Sequence, residues 1–374
     1  MSREPDDLSD LPEALALLER LVAFDTRNPP RAIDRGGIFA CLIEALGPGF
    51  SCSIEDLGDG CLSLFAVRGA PRLLFNVHID TVPADAAWAT DPHRLIVEND
   101  RAIGLGAADI KGAAACLVVA ARQTTGDLAL LFSSDEEAGS SRCVQDFLVR
   151  HPTWDGAVIG EPTRCRAVIE HRGIATCSAT FHGTGGHGSA ARALVDSAIH
   201  EAVRWSARAL AYAEESEGVR YKTLAGIRLN LGVLTGGTKA NMIASSASMR
   251  FGARPLPSQG PEALLDALTD LAARPDRVTW QPGFLAPPLP APIAGRDTEA
   301  RVAEAAALAR TLGLDVGDPV DFWTEAALFS AKGIASVVYG PGDIAQAHTA
   351  GEWVLLDDLA RAVADYRRIL GGLR

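Results

Sequence analysis

Lysine and aromatic residues are scarce in this 374-residue sequence. Only four of its 35 basic residues are lysine, and aromatic residues make up 6% of the chain. Acidic residues outnumber basic ones by 47 to 35, so the net charge is −12. A nucleic-acid-binding protein needs a basic surface, and this charge balance therefore argues against nucleic acid as a partner. An anionic substrate would need positive charge placed locally at its site.

The sequence also lacks long hydrophobic runs and Cys-x-x-Cys motifs. The longest apolar run covers residues 113–121, which is far too short to cross a bilayer. Residues 1–7 do not form the apolar core of a signal peptide. The seven cysteines are odd in number and contain no Cys-x-x-Cys pair, a pattern typical of free thiols in a reducing cytosol. We expect a cytoplasmic protein with no membrane partner.

The chain is long enough for two domains, and its composition is that of an ordinary globular protein. Hydrophobic residues form 48% of the chain, and a single core rarely grows beyond about 250 residues. Short apolar strands alternate with alanine-rich helices, which predicts an α/β domain whose mostly parallel sheet is covered on both faces. The apolar strands are expected at 72–77, 127–132, 156–159, 317–322 and 335–339.

The order of elements changes from residue 174 onward. A strand, a single helix at 189–213, two long strands, a helix and a further strand follow one another up to residue 282. This β-α-β-β-α-β order is typical of a ferredoxin-like α+β domain. A proline-rich stretch at 285–292 indicates the connection back to the first domain. The predicted domains are a catalytic α/β domain at 1–172 and 288–374 and an inserted α+β domain at 173–287.

Several candidate metal ligands follow predicted strands. Open α/β sheets bind ligands at the carboxyl ends of their strands, so we expect these side chains to converge. Mixed nitrogen and oxygen donors suit zinc. Taken singly, each has an ordinary alternative, such as a solvated acidic turn or a loop histidine. The candidates are His78, Asp109, one of Glu136 and Glu137, Glu161 and His348.

Two close pairs of residues carry more specific expectations. His78 and Asp80 are two residues apart in extended chain, so their side chains lie on the same side. Asp80 can then accept the proton of the second ring nitrogen and orient the imidazole. Adjacent Glu136 and Glu137 point in different directions. One can therefore bind metal while the other moves a proton from water to a leaving amine.

Six motifs resemble the two-zinc hydrolase family that contains acetylornithine deacetylase, succinyl-diaminopimelate desuccinylase, aminoacylase and carboxypeptidase G2. The resemblance runs essentially end to end. Within the family, three segments most resemble acetylornithine deacetylases of the acetylcitrulline-hydrolysing kind: Asn28-Pro-Pro-Arg-Ala32, Val320-Asp-Phe-Trp-Thr-Glu325 and Tyr339-Gly-Pro-Gly-Asp-Ile-Ala-Gln-Ala-His348. The motifs are Asn76-Val-His-Ile-Asp-Thr-Val-Pro83, Gly104 to Gly112, Ser133-Ser-Asp-Glu-Glu-Ala138, Gly160-Glu-Pro-Thr163, Gly185-Gly-His-Gly-Ser189 and Ala347-His-Thr349.

The resemblance implies a zinc-peptidase-like catalytic domain with two Zn²⁺ ions, for which Co²⁺ or Mn²⁺ could substitute. It places His78 and Glu161 on one ion, Glu137 and His348 on the other, and Asp109 between them. It also implies a cis peptide bond between Asp109 and Ile110. Glu136 would be the general base, and Asp80 the partner of a metal ligand.

The resemblance also implies roles within and beside the inserted domain. His187 matches a histidine that stabilises an oxyanion in the partner subunit's site, so we expect a homodimer and a dimerisation or lid role for this domain. The positions that match substrate-holding residues are Asn241, Arg254 and Thr324. Arg172 resembles a family arginine at the domain junction and is a further candidate for substrate binding. Arg254 offers the fork of donors that suits an α-carboxylate.

Lys239 lies two residues before Asn241. If this segment is extended, both side chains share a face, and Lys239 borders the substrate. A cation there would repel the amine of ornithine but accept the neutral tip of citrulline. The alternative is a solvated loop lysine.

The predicted function is metal-dependent deacetylation of a small N-acylated amino acid, N-acetyl-L-citrulline or N-acetyl-L-ornithine, in arginine biosynthesis. A desuccinylase, a dipeptidase and a carboxypeptidase are alternatives from the same family. A metal-binding protein without catalysis is an alternative from another class. The presence of Glu136 beside the ligands argues against this last alternative, because a binding protein needs no base.

Overall fold

The computed structural model describes residues 10–372, which divide into two compact units. Unit 1 comprises Met1–Ile169, Ile293–Gly317 and Thr324–Arg374, and unit 2 comprises Glu170–Pro292 and Asp318–Trp323. Residues 1–7, on which the signal-peptide expectation depends, lie outside the described residues. Among the residues that are described, no helix is long and apolar enough to cross a membrane.

Helices and short strands alternate along both units. The first part of unit 1 contains α1 (Leu11–Val22), α2 (Ile38–Leu46), β1 (Ser51–Asp56), β2 (Leu62–Arg68), β3 (Leu73–His78), β4 (Ile96–Glu98), β5 (Arg101–Ile103), α3 (Lys111–Arg122), β6 (Leu128–Ser133), α4 (Arg142–Arg150) and β7 (Gly156–Ile159). Unit 2 contains β8 (Ile174–His182), β9 (Gly186–His187), α5 (Ala193–Asp196), α6 (Ala198–Glu215), β10 (Arg220–Tyr221), β11 (Leu224–Ala225), β12 (Arg228–Gly236), β13 (Met242–Ile243), β14 (Ser246–Arg254), α7 (Pro261–Thr269) and β15 (Val278–Ala286). The chain returns to unit 1 with α8 (Thr298–Thr311), α9 (Ala326–Ala331), β16 (Ser336–Val338), β17 (Trp353–Leu355) and α10 (Leu356–Gly372).

Unit 1 is built on a six-stranded sheet in the order β1-β2-β6-β3-β7-β16. The strands β6, β3, β7 and β16 pair in parallel, whereas β2 and β1 continue the sheet antiparallel. Every residue of β3 and β6 is buried, as expected of strands covered on both faces. The alanine-rich helix α3 is buried along almost its whole length, because small side chains let it pack closely. The predicted α/β class is confirmed.

The parallel strands of unit 1 bring their carboxyl ends to one edge of the sheet. β3 ends at His78, β6 ends at Ser133 three residues before Glu136, and β7 ends two residues before Glu161. Ligand-binding residues in open α/β sheets collect at this edge. A second, three-stranded sheet of β17, β5 and β4 was not expected from the sequence.

Unit 2 has the antiparallel four-stranded sheet of a ferredoxin-like domain. The spatial order is β12-β14-β8-β15, which is the second, third, first and fourth of its long strands. Buried residues of the sheet alternate with more exposed ones, and α6 and α7 add their buried faces to the same core. Trp205 of α6 is fully buried in this core and donates from Nε1 to the main-chain oxygen of Leu268 at 2.9 Å.

Two element predictions are wrong. Residues 317–322 form no strand among the described residues, and the segment makes only an isolated bridge at Val320. Pro319 within the segment has no N–H to donate to a sheet. The single helix predicted at 189–213 is instead α5 and α6. The helix is interrupted at Ser197, whose backbone is extended. The side chain of Ser197 caps the first turn of α6 by accepting from the N–H of His200.

Candidate metal centre

The five predicted ligands of unit 1 converge into two overlapping groups. His78, Asp109 and Glu161 form the first group, and Asp109, Glu137 and His348 form the second. Within each group, the atoms that could bind an ion lie within 4.8 Å of one another. Of the adjacent glutamates, Glu137 belongs to a group, and Asp109 belongs to both.

Asp109 turns its two carboxylate oxygens towards different histidines. Nε2 of His78 lies 3.1 Å from Oδ1 of Asp109, and Nε2 of His348 lies 3.4 Å from Oδ2. His348 also lies 2.8 Å from Oε1 of Glu137, and His78 lies 3.8 Å from Oε1 of Glu161. This is the arrangement that a carboxylate shared between two sites requires. The Asp109–Ile110 peptide bond is cis, as the resemblance predicts.

The charges in this cluster are poorly compensated by the protein itself. Burial raises the pKa of Glu161 well above its ordinary value, and it raises the pKa of Glu137 as well. Burial opposes the charge of His348 too, but hydrogen bonds to Asp109 and Glu137 outweigh it and raise the pKa of His348 to about 11. Both histidines are thus drawn towards the protonated form by the carboxylates around them.

The donor set fits divalent cations. Three carboxylates outnumber the two histidines; Asp109 and Glu161 are buried and Glu137 is half-buried. Oδ1 of Asp109 accepts no hydrogen bond from any residue that the structure describes. Unpaired buried charge is costly, and a cation removes that cost. Two imidazoles with three carboxylates are ligands that zinc accepts.

Asp80 connects His78 to the glutamate turn. Nδ1 of His78 lies 3.0 Å from the main-chain oxygen of Asp80 and 3.4 Å from its carboxylate, so the nearer acceptor is the main chain and not the predicted carboxylate. The carboxylate instead accepts from the N–H groups of Glu136 at 3.3 Å and Glu137 at 3.0 Å. It also accepts from Nδ2 of Asn28 at 2.9 Å. Asp80 therefore orients one ligand and fixes the turn that carries another.

Sequence reasoning missed Glu352, which holds the backbone beside Asp109. One carboxylate oxygen of Glu352 accepts from the N–H groups of Ala108 and Asp109, each at 2.9 Å. Burial raises the pKa of Glu352 to about 8. Its only signal in the sequence is its position four residues after His348, within the same loop.

Glu325 was missed in the same way. Its Oε2 accepts from Nδ2 of Asn76 at 2.7 Å and from Oγ of Ser133 at 2.8 Å, which joins the ends of β3 and β6. Burial raises the pKa of Glu325 to about 7. Thr324, a predicted substrate residue, is fully buried next to it and accepts from the N–H of Ala326 at the start of α9. Glu325 could have been recognised from its place beside Thr324, which matches a substrate-holding position of the family that the motifs resemble.

In unit 2, a short strand pair brings three predicted residues into one loop cluster. Met242 of β13 pairs with His187 of β9, and the main-chain oxygen of Asn241 accepts from Gly188 at 2.7 Å. The N–H of Met242 donates to the main-chain oxygen of Lys239 at 3.1 Å, which closes a turn. The expectation that residues 239–241 are extended is therefore wrong. Nothing then places the side chains of Lys239 and Asn241 on one face.

Arg172 is fully buried within unit 2, where its guanidinium contacts protein groups. Nε donates to Asp321 at 2.6 Å, while Nη1 and Nη2 donate to the main-chain oxygens of Gly226 at 2.5 Å and Ala225 at 2.9 Å. These contacts join the 318–323 segment to the β11–β12 connection. These contacts give Arg172 a structural role.

Arg254 ends β14 near a buried histidine that the sequence left unassigned. Burial, together with the charge of Arg254, lowers the pKa of His171 to about 4. His171 is therefore neutral at physiological pH. Nδ1 of His171 lies 2.8 Å from the main-chain oxygen of Arg172.

Fold and site together define a metal-dependent hydrolase of amide bonds. Residues 74–371 match the family described as peptidase family M20/M25/M40, and this chain belongs to that family.

Relatives of known name agree with this family. The chain is 50% identical over 363 residues to N-acetyl-L-citrulline deacetylase of Xanthomonas campestris pv. campestris, covering 97% of this chain and 98% of the relative. It is 33% identical to acetylornithine deacetylase of Myxococcus xanthus, covering 95% and 96%.

Solved structures share the fold. An M20 family metallo-carboxypeptidase from Sulfolobus solfataricus superposes with a TM-score of 0.73 at 17% identity, covering 96% of this chain and 98% of that chain. Human carnosine dipeptidase 1 superposes with a TM-score of 0.68 at 16% identity, covering 97% of each. At such identities, the likeness shows the fold alone.

Removal of the Glu352 carboxylate should weaken metal binding. Glu352→Ala leaves two buried N–H groups unpaired beside Asp109, and loss of such an outer contact typically lowers metal affinity by about 10- to 100-fold. Glu352→Gln keeps an accepting oxygen and should lose less. Competition of the metal-free protein with a chromogenic zinc chelator measures the affinity. Glu98→Ala, at an exposed position, is the control, and equal affinity in Glu352→Ala would contradict this role.

Proposed function

We propose that this chain removes the acetyl group from N-acetyl-L-citrulline and so acts in arginine biosynthesis. The observation that carries the proposal is the 50% identity, over nearly the full length of both chains, to an N-acetyl-L-citrulline deacetylase. N-acetyl-L-ornithine is the second candidate substrate, supported by the 33% identity to an acetylornithine deacetylase. The peptidases that share the fold are too distant in sequence to favour a dipeptidase or carboxypeptidase activity.

We assign the metal centre to two Zn²⁺ ions. His78 and Glu161 would hold one ion, Glu137 and His348 the other, and Asp109 both, which follows the two groups in unit 1. Zinc at such a site supplies a Lewis acid for the acyl carbonyl and lowers the pKa of water. The same donors accept Co²⁺ or Mn²⁺.

Glu136 is the proposed general base. Its N–H and that of Glu137 both bind the carboxylate of Asp80, which fixes the turn so that the neighbouring side chains diverge. Glu136 takes a proton from the attacking water while oxygen adds to the acyl carbon. It then gives that proton to the nitrogen as the carbon–nitrogen bond breaks, so the products are acetate and the free amino acid.

Four further residues contact the substrate or its oxyanion in this proposal. Arg254 pairs with the α-carboxylate through its fork of donors, and Asn241 and Thr324 hold the remaining polar groups. His187 donates a hydrogen bond to the oxyanion that forms when water adds to the acyl carbon. Because Arg172 is buried among main-chain oxygens and Asp321, we assign it to support of this region and not to the substrate.

A homodimer completes the proposal, with unit 2 as its interface. Strand β12 has one neighbour in its sheet, so its other edge is unpaired among the described residues, and Val233 and Leu234 on it are exposed. Val203 and Leu210 are also exposed and lie seven residues apart on one face of α6. Exposed apolar residues beside an open edge favour a covering partner, and a second copy of this chain is the proposed one.

The cysteines support a cytoplasmic location. All seven are free, and six of them are buried. Proteins of oxidising compartments generally pair their cysteines, whereas a reducing cytosol keeps them as thiols.

Glu136→Gln should remove turnover and spare the metal. The substitution keeps the volume but removes the base, and loss of a general base costs about 10²- to 10⁴-fold in rate. Acetate release from N-acetyl-L-citrulline measures the rate, and plasma mass spectrometry measures bound zinc. Glu98→Gln is the exposed control. A Glu136→Gln enzyme with full activity would reassign the base.

Mixed dimers test whether His187 serves the neighbouring subunit. Glu136→Gln and His187→Ala homodimers should each be inactive. A heterodimer has one site with an intact Glu136 and the His187 of the other subunit, so an equimolar mixture should recover about a quarter of native activity. Subunit exchange is followed by native mass spectrometry. Complete exchange without recovery would place His187 in its own subunit's site or outside catalysis.

N-acetyl-L-citrulline should have a higher kcat/KM than N-acetyl-L-ornithine. Lys239 is exposed in the loop cluster with His187, and in this proposal its charge disfavours the ornithine amine from that loop and not from a face shared with Asn241. Lys239→Glu should change the ratio of specificity constants by roughly two- to fivefold in favour of ornithine, the scale of one exposed charge pair. Lys332→Glu, at an exposed position in unit 1, should leave the ratio unchanged. Equal constants in the native enzyme would contradict the citrulline assignment.

A further inference from the structure

The loop that carries His187 is held firmly although the histidine itself is exposed. Arg192 donates from Nη1 to the main-chain oxygen of Thr184 at 3.2 Å and from Nη2 to that of Gly185 at 2.8 Å. The same guanidinium pairs with Asp196 at 2.7 Å. Pairing of β9 with β13 fixes the other side of the loop. These contacts fix the backbone of the loop and so limit the orientations open to the His187 ring.

Two groups of Ser189 meet one nitrogen of His187. The main-chain N–H of Ser189 donates to Nδ1 at 3.3 Å, and the hydroxyl oxygen Oγ lies 2.7 Å from the same nitrogen. A main-chain N–H can only donate, so Nδ1 must offer its lone pair. A neutral imidazole carries one proton, and that proton is then on Nε2. The hydroxyl adds a second donor to Nδ1.

We propose that Ser189 is a positioning residue that holds His187 in the tautomer with its proton on Nε2. This proposal rests on the proposed role of His187 as the donor to the oxyanion. An Nε2–H group can donate to developing negative charge, whereas a bare Nε2 lone pair would repel it. The reverse tautomer would place an Nδ1 proton against the N–H of Ser189. Ser189 thus acts through His187 and does not touch the substrate.

The tautomer can be observed directly. In long-range ¹H–¹⁵N spectra of the full-length, zinc-loaded protein, the His187 ring should show a protonated Nε2 and an unprotonated Nδ1. The signals are assigned by their loss in His187→Gln. Ser189→Thr should keep the native pattern. Ser189→Ala keeps the long main-chain hydrogen bond but loses the short hydroxyl one, so a minor population of the other tautomer should appear beside the native one. A protonated Nδ1 in the native enzyme would overturn the proposal.

Kinetics test the consequence of the tautomer. Ser189→Ala should lower kcat by about tenfold with KM nearly unchanged, because one of two hydrogen bonds to Nδ1 is lost. Ser189→Thr should restore the rate. Ser189→Asp presents an acceptor that draws the proton to Nδ1, so its kcat should approach that of His187→Ala, with a loss of about 10²- to 10³-fold. Ser245→Ala, an exposed serine beside the same loop, should retain native kcat.

Two results separate this proposal from the proposed function. In a His187→Ala background, Ser189→Ala should cause no further loss, and an additional tenfold loss would overturn action through His187. A fully active His187→Ala enzyme would instead overturn the oxyanion role of His187, whatever the spectra show. The spectra decide the tautomer, and the single His187 variant decides the catalytic role.

Discussion

The carboxylate of Asp109 lies between two histidines at the edge of a buried sheet, and much of unit 1 is arranged around it. Its acidic neighbours are the buried Glu161 and the half-buried Glu137, so the protein concentrates carboxyl groups where water screens charge poorly. Such a cluster is unfavourable without cations. The fold therefore holds its ligands close enough together for ions to stabilise them.

Hydrogen-bond donors surround the acidic residues that lie next to the metal ligands. The N–H groups of Glu136 and Glu137 satisfy Asp80, and those of Ala108 and Asp109 satisfy Glu352. Side chains of Asn76 and Ser133 satisfy Glu325. Asp80 and Glu352 thus fix stretches of backbone that carry ligands, and Glu325 joins two strands that lead to the site. This shell gives the ligands their geometry before any ion binds.

In unit 2, hydrogen bonds from charged side chains also fix the backbone, but around residues that are not metal ligands. Arg172 is buried and bound to main-chain oxygens, so a charged group serves there as a structural link. His187 is exposed, but Arg192 and Ser189 restrict its loop and its ring. His187 therefore stays accessible to solvent while its ring keeps one orientation. The proposed role of His187 across a dimer requires both properties.

The sequence by itself determined the fold class, and its motifs supplied the candidate ligands. Continuous apolar strands and short motifs after them are local features, and each can be recognised without knowing its neighbours. Tertiary structure alone decided which acids accept which N–H groups. Glu352 meets Asp109, and Glu325 meets Asn76, across more than 240 residues of chain. It also decided that Lys239 lies in a turn and that Arg172 is buried, because neither local backbone shape nor burial follows from residue type. A side chain's partner is set by the packing of distant elements, and no local pattern contains that information.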